Sequence, residues 1–124
     1  MNEREAQLQQ IEMSLEEAQR NIFLAETLDR LHKNKDFQAI IVQGFFKDQA
    51  SRAVLLRADP EMFEEREQKQ IDDIITSIGG LRQYFHKIFR MGQISQQTME
   101  ADKQTRQELL AEDLTTVEGS ELVQ

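Results

Sequence analysis

The chain has 124 residues, 15 Lys+Arg against 23 Asp+Glu, a net charge of -8, one Pro, no Cys and no Trp. The missing cysteines exclude disulfides, Fe–S clusters, thiolate zinc sites and thiol nucleophiles. The acidic balance argues against a general nucleic-acid binder, which presents a basic face to phosphates. No apolar run approaches the ~20 residues that span a bilayer, and MNEREAQLQQ is too polar and acidic for a signal peptide.

Charge changes sign in blocks. Residues 1–29, 59–73 and 99–124 each carry a net charge of -5, residues 30–58 carry +4, and residues 74–98 carry +3. Such alternation suits a chain that folds back on itself, with acidic segments beside basic ones. It is also within the ordinary variation of surface charge, and exposed pairs contribute only about 0–1 kcal/mol each.

The first predicted element is a helix over 3–33. Leu8, Ile11, Leu15, Ala18, Ile22 and Ala25 follow 3-4-3-4-3 spacing, a seam of coiled-coil period. Glu, Gln, Arg and Ala around them favour helix, and no Gly or Pro interrupts the run. Asn34-Lys35-Asp36 marks a break, with Asn34 read as a C-terminal cap and Asp36 as the N-cap of a second helix over 36–57. That helix holds the most apolar stretch, Phe37 to Phe46, in which Gly44 is expected to let a neighbouring helix approach. Asp59-Pro60 ends it and starts a third helix over 60–91, since the residue before proline disfavours helical dihedrals and proline suits a first turn. Ile71, Ile74, Ile75, Ile78, Leu81, Phe85, Ile88 and Phe89 form its apolar stripe. Gly79-Gly80 inside the stripe reads as close packing in preference to a hinge. Gly92 reads as a stop. Residues 94–113 are predicted as a weakly attached helix with a faint stripe at Leu109, Leu110, Leu114 and Val117, followed by an acidic tail.

The predicted fold is all-α: a long N-terminal helix with two or three further helices in an extended hairpin or small bundle, with a coiled-coil seam. The expected core is Phe37, Ile40, Ile41, Phe45, Val54, Leu55, Ile71, Ile74, Ile75, Ile78, Phe85 and Phe89. Residues 1–93 are expected to form the core body and 94–124 the attached helix and tail.

Motifs for chemistry are sparse. His32 and His86 lie on different predicted helices, without the paired carboxylates of an inward-facing metal site, so no metal and no cofactor is expected. No serine has a histidine at a suggestive spacing, and no glycine-rich loop follows a strand. The paired carboxylates Glu64-Glu65 and Asp72-Asp73 sit among charged neighbours and read as a solvated face. An enzyme is not expected.

Two partner-binding candidates remain. One is the seam of the first helix, at Leu8, Ile11, Leu15 and Ile22. It runs for about seven turns, and only two other strongly apolar helices are predicted to cover it, so part is expected to face an oligomer mate or another protein. The other is the basic-aromatic run from Leu81 to Arg90, with Arg82, Tyr84 and Arg90 as contact residues. Its cations are expected to line acidic helices of this molecule or a neighbour in preference to nucleic acid.

The middle of the chain resembles a group of small helical proteins of tailed bacteriophages. The shared pattern is carried by Leu28-Asp29-Arg30-Leu31, Asn34-Lys35-Asp36-Phe37, Ile40-Ile41-Val42-Gln43-Gly44-Phe45-Phe46, Ala53-Val54-Leu55-Leu56, Ala58-Asp59-Pro60 and Gly80-Leu81-Arg82-Gln83-Tyr84-Phe85, over about residues 24–91. The resemblance implies a non-enzymatic virion structural or assembly protein in the virion or the host cytoplasm. Its partners would be further copies or phage capsid, portal or tail proteins. The alternative is a small acidic inhibitory or regulatory protein, such as a DNA mimic directed at a basic host protein.

Overall fold

In this computed structural model, the structure describes the backbone of residues 2–123 and the side chains of residues 2–112. The elements in chain order are α1 (Glu3–His32), α2 (Lys35–Phe37), a π-helix (Gln38–Gln49), α3 (Ala50–Ala58), a 3-10 turn (Pro60–Met62) and α4 (Glu65–Val123). Among the described residues there is no strand, and the fold is all-α as the sequence implies. The chain forms two compact units. Unit 1 comprises residues 1–25 and 90–124, and unit 2 comprises residues 26–89.

Unit 1 is a pair of antiparallel helices. Side-chain pairs set its register. Ser14 Oγ donates to Asp102 Oδ2 at 2.6 Å, Asn21 Nδ2 donates to Ser95 Oγ at 3.0 Å, and the Arg4 guanidinium lies 3.7 Å from Glu112 Oε2. From Ser14 to Asn21 α1 advances one heptad while α4 retreats one, from Asp102 to Ser95, so the two helices stay in constant step. Leu15 and Ala18 of α1 are buried, together with Gly92 and Ser95 of α4.

The α1 seam, expected to exceed what its own chain can hide, is covered in part: Leu15 and Ala18 are buried, while Leu8, Ile11, Ile22 and Ala25 are half-buried. The partner is the segment read as weakly attached. Its inward positions are Gly92, Ser95, Met99, Asp102 and Leu109, spaced 3, 4, 3 and 7 residues apart. Most of them are small or polar, so no apolar stripe announces them. The expected stop at Gly92 is likewise absent, and α4 runs through it without a break. A Cβ on Gly92 would stand 2.5 Å from the Ala25 Cβ, so this glycine serves a close approach of two helices. Of the faint stripe, Leu109 is half-buried and Leu110 exposed, while Leu114, Val117 and the tail's side chains lie outside the described residues.

Unit 2 is built from the end of α1, the helical run from Lys35 to Ala58, the 3-10 turn and the first part of α4. Asn34 rather than Asp36 is the N-cap: its Oδ1 accepts from the backbone N–H groups of Asp36 and Phe37. Asp59 caps the next turn by accepting from Glu61 N–H, with Pro60 in the first position. The buried apolar side chains are Leu28, Ala53, Ile71 and Ile78. Full burial of a leucine or isoleucine side chain stabilises by about 1.5–3 kcal/mol.

The π-helix changes which residues point inward. Its twelve residues run with i,i+5 geometry, in which Gln43 Nε2 donates to Asp48 Oδ1 at 2.9 Å. The stripe expected from 3.6-residue spacing therefore loses phase before α3 begins. Ala53 turns inward in place of its neighbours, while Val54 and Leu55 are 62% and 72% exposed. Ile40 and Ile74 are exposed as well. These four are corrections to the expected core. Phe37, Ile41, Phe45, Ile75, Phe85 and Phe89 are half-buried. Gly44 accommodates no neighbouring helix, since a Cβ there would meet the Ala39 carbonyl at 3.0 Å, within the same run. Gly79 and Gly80 have nothing within 4 Å of a built Cβ, so the packing expected for them is also absent.

Candidate protein-docking site

Unit 1 holds open grooves, one of them lined by Glu16, Gln19, Arg20, Phe23 and Leu24. Gln7, Gln10, Ile11, Ser14, Asp102 and Thr105 line another, of about 520 Å³, with Leu109 at its side. Its central feature is the Ser14–Asp102 hydrogen bond. Among the described residues that line this groove there is no histidine. The pair holds helix register.

In unit 2 a half-buried His32 lies among rings. His32 packs against Phe37, Phe85 and Phe89 with ring centroids 5.2–5.7 Å apart. Its Nδ1 lies 3.0 Å from the Leu28 carbonyl oxygen, which accepts, so Nδ1 carries the hydrogen. Phe85 is the hub, also meeting Phe37, Phe46 and Tyr84. The cluster ties the end of α1, the π-helix and α4 together within unit 2. Among the described residues no group of His, Asp and Glu is placed to hold a metal ion.

The outward side of unit 2 is different. On α3, Ser51, Val54, Leu55 and Ala58 are exposed at i, i+3, i+4 and i+7 spacing, the pattern of a helix seam without its mate. At 100° per residue, Arg52 and Arg57 flank this stripe about 60° to either side. Both are exposed, and Arg57 also pairs with Asp72 at 2.9 Å. The sequence does not announce this stripe, because the helical spacing places Val54 and Leu55 in the expected core.

The residues expected to bind a partner are distributed as follows. Leu15 is buried in unit 1, and Leu8, Ile11 and Ile22 are half-buried there. Arg82 and Tyr84 are exposed in unit 2, with the Tyr84 ring 6.3 Å from that of Phe85. Arg90 is exposed in unit 1. Among the described residues no helix is long and apolar enough to cross a membrane. Comparison with protein-family models, curated proteins and solved structures finds no match to this chain.

Proposed function

We propose that this chain is a non-enzymatic docking protein of bacteriophage structure or assembly, and that it docks through the outward face of α3. The observation that carries the docking reading is the pair Val54 and Leu55, large apolar side chains left in water at seam spacing between two arginines. Leaving them exposed forgoes the stabilisation that burial supplies, about 25 cal/mol per Å², and a partner helix on the face recovers it. The phage setting rests on the resemblance carried by residues 24–91. The seam of α1 is the weaker candidate, because its Leu15 and Ala18 are buried within unit 1 and Leu8, Ile11 and Ile22 are half-buried there.

The test is mass spectrometry of purified particles and assembly intermediates from a phage producing this chain, compared with one producing Val54→Ser/Leu55→Ser. The expected result is stoichiometric recovery of the first and loss of the second, with equal expression. Absence of the wild-type chain from every particle fraction overturns the reading.

One observation favours the inhibitor alternative. Unit 1 carries twelve acids and five bases, against eleven and ten in unit 2. A DNA-mimic role predicts salt-sensitive 1:1 binding of unit 1 to a basic protein, unaffected by changes at Val54 and Leu55.

A further inference from the structure

We infer that the occupant of the α3 face is the acidic C-terminal segment of a second copy of this chain, so that copies associate head to tail. This rests on the docking reading above only in taking α3 as the surface. Three observations select the occupant.

The first is charge. The run that bears the exposed stripe, residues 30–58, is the most basic block of an otherwise acidic chain, at +4. Two such faces brought together put like charges in register and repel each other. An acidic helix is the complementary mate.

The second is the sequence of the chain's own end. From Glu108 to Gln124 there are five acids and no base. Within it, Asp113-Leu114-Thr115-Thr116-Val117-Glu118 places two apolar residues inside two acids five apart. On α3, Arg52-Ala53-Val54-Leu55-Leu56-Arg57 places the outward Val54 and Leu55 inside two bases five apart. The two windows match in length and oppose in charge.

The third is that face and segment are different stretches of the chain, one in unit 2 and one in unit 1. Joined head to tail, such an interface leaves one of each patch unsatisfied at the ends of a pair and continues into a ring or an open chain of copies, which suits an assembly component; a reciprocal exchange would instead close at the dimer.

The test uses the full chain in sedimentation velocity and light scattering across concentration, at low and high salt. The expected result is a mass that rises with concentration past the dimer and falls with added salt. Arg52→Glu/Arg57→Glu and Asp113→Lys/Glu118→Lys should each raise the concentration for half-association by about tenfold or more, by losing two exposed ion pairs and gaining repulsion. Mixing the two variants should restore association, since each retains the half that the other lacks. Arg52→Glu alone leaves the Arg57–Asp72 pair in place and serves where the double variant melts early. A wild type that stays monomeric at all concentrations overturns the inference. So does association untouched by the C-terminal variant, which assigns the face to another occupant. Either of these results, with particle incorporation still dependent on Val54 and Leu55, leaves the docking reading standing. Self-association with no incorporation does the reverse.

Discussion

Gly92 and Ala25 meet so closely in unit 1 that a methyl group on Gly92 would lie 2.5 Å from the Ala25 Cβ. Replacing a helical glycine by alanine normally stabilises by about 1 kcal/mol. Here the added carbon has no room, and overpacking costs about 1–3 kcal/mol. Gly92→Ala should therefore destabilise the protein by up to about 2 kcal/mol, the overpacking cost less the propensity gain, read as a lower urea midpoint by circular dichroism. A variant more stable than the wild type would mean that the helices separate freely at this point.

Gly79 and Gly80 should respond with the opposite sign. A built Cβ at either position meets nothing within 4 Å, and both lie inside α4. Each change to alanine lowers the entropy of the unfolded chain and adds helix propensity. The expected gain is about 0.5–1 kcal/mol per site, seen as a rise in melting temperature. No gain at either site would point to a conformation in which α4 bends at the glycine pair.

These glycines also show where the sequence could be read and where it could not. The α1 seam is legible because its inward positions are Leu, Ile and Ala. The facing seam of α4 is not, because Gly92, Ser95 and Asp102 carry no hydropathy signal. Its trace is the 3- and 4-residue spacing of small residues, visible only once α1 demands a mate. Ile71 and Ile78 are legible as core because α4 keeps its period. Val54 and Leu55 are misread because the π-helix before them shifts the phase, and the local sequence of α3 does not record it. The exchange of Asn34 for Asp36 as cap has a simpler cause. Either side chain caps well, and the choice depends on the dihedrals of Asn34, whose ψ of 127° is extended.

That cap gives a third prediction. Asn34 Oδ1 accepts two backbone N–H groups, at 2.9 and 3.1 Å. Asn34→Ala orphans both and should cost about 1 kcal/mol, while Asn34→Asp should retain most of the stability. Equal losses for the two variants in a chemical melt would show that the oxygen is not the stabilising group.

The aromatic hub of unit 2 gives a fourth. Phe85 meets His32, Phe37, Phe46 and Tyr84. Truncating a buried Phe to Ala typically costs 3–5 kcal/mol. Phe85 is only half-buried, so Phe85→Ala should cost about 2 kcal/mol. The loss should concentrate in unit 2. Hydrogen exchange should speed at α2, the π-helix and α3, with less effect on residues 4–21. Uniform acceleration along the whole chain would contradict this placement.

Asn21 and Ser95 carry the last prediction. Ser95 is buried, and its hydroxyl accepts from Asn21 Nδ2 at 3.0 Å in the middle of the unit 1 seam. A polar pair in such a seam adds little net stability, about 0.5–1.5 kcal/mol. It penalises every register that separates its members. Ser95→Ala alone leaves the Asn21 amide short of a partner and should destabilise by about 1 kcal/mol. Asn21→Leu with Ser95→Ala removes the polar requirement and should recover that loss. It should also relax the register, because one of the polar pairs that oppose a slip of α4 along α1 is then gone, leaving Ser14–Asp102 and Arg4–Glu112 beside the close approach of Gly92 and Ala25. Cysteines at positions 7 and 109 provide the readout, as both residues line the same groove. In an otherwise wild-type chain they should crosslink as the dominant product. In the double variant the crosslink should weaken while pairs displaced by one heptad appear. An unchanged crosslink pattern would assign the register to Gly92 and Ala25, whose close approach tolerates no bulkier neighbour.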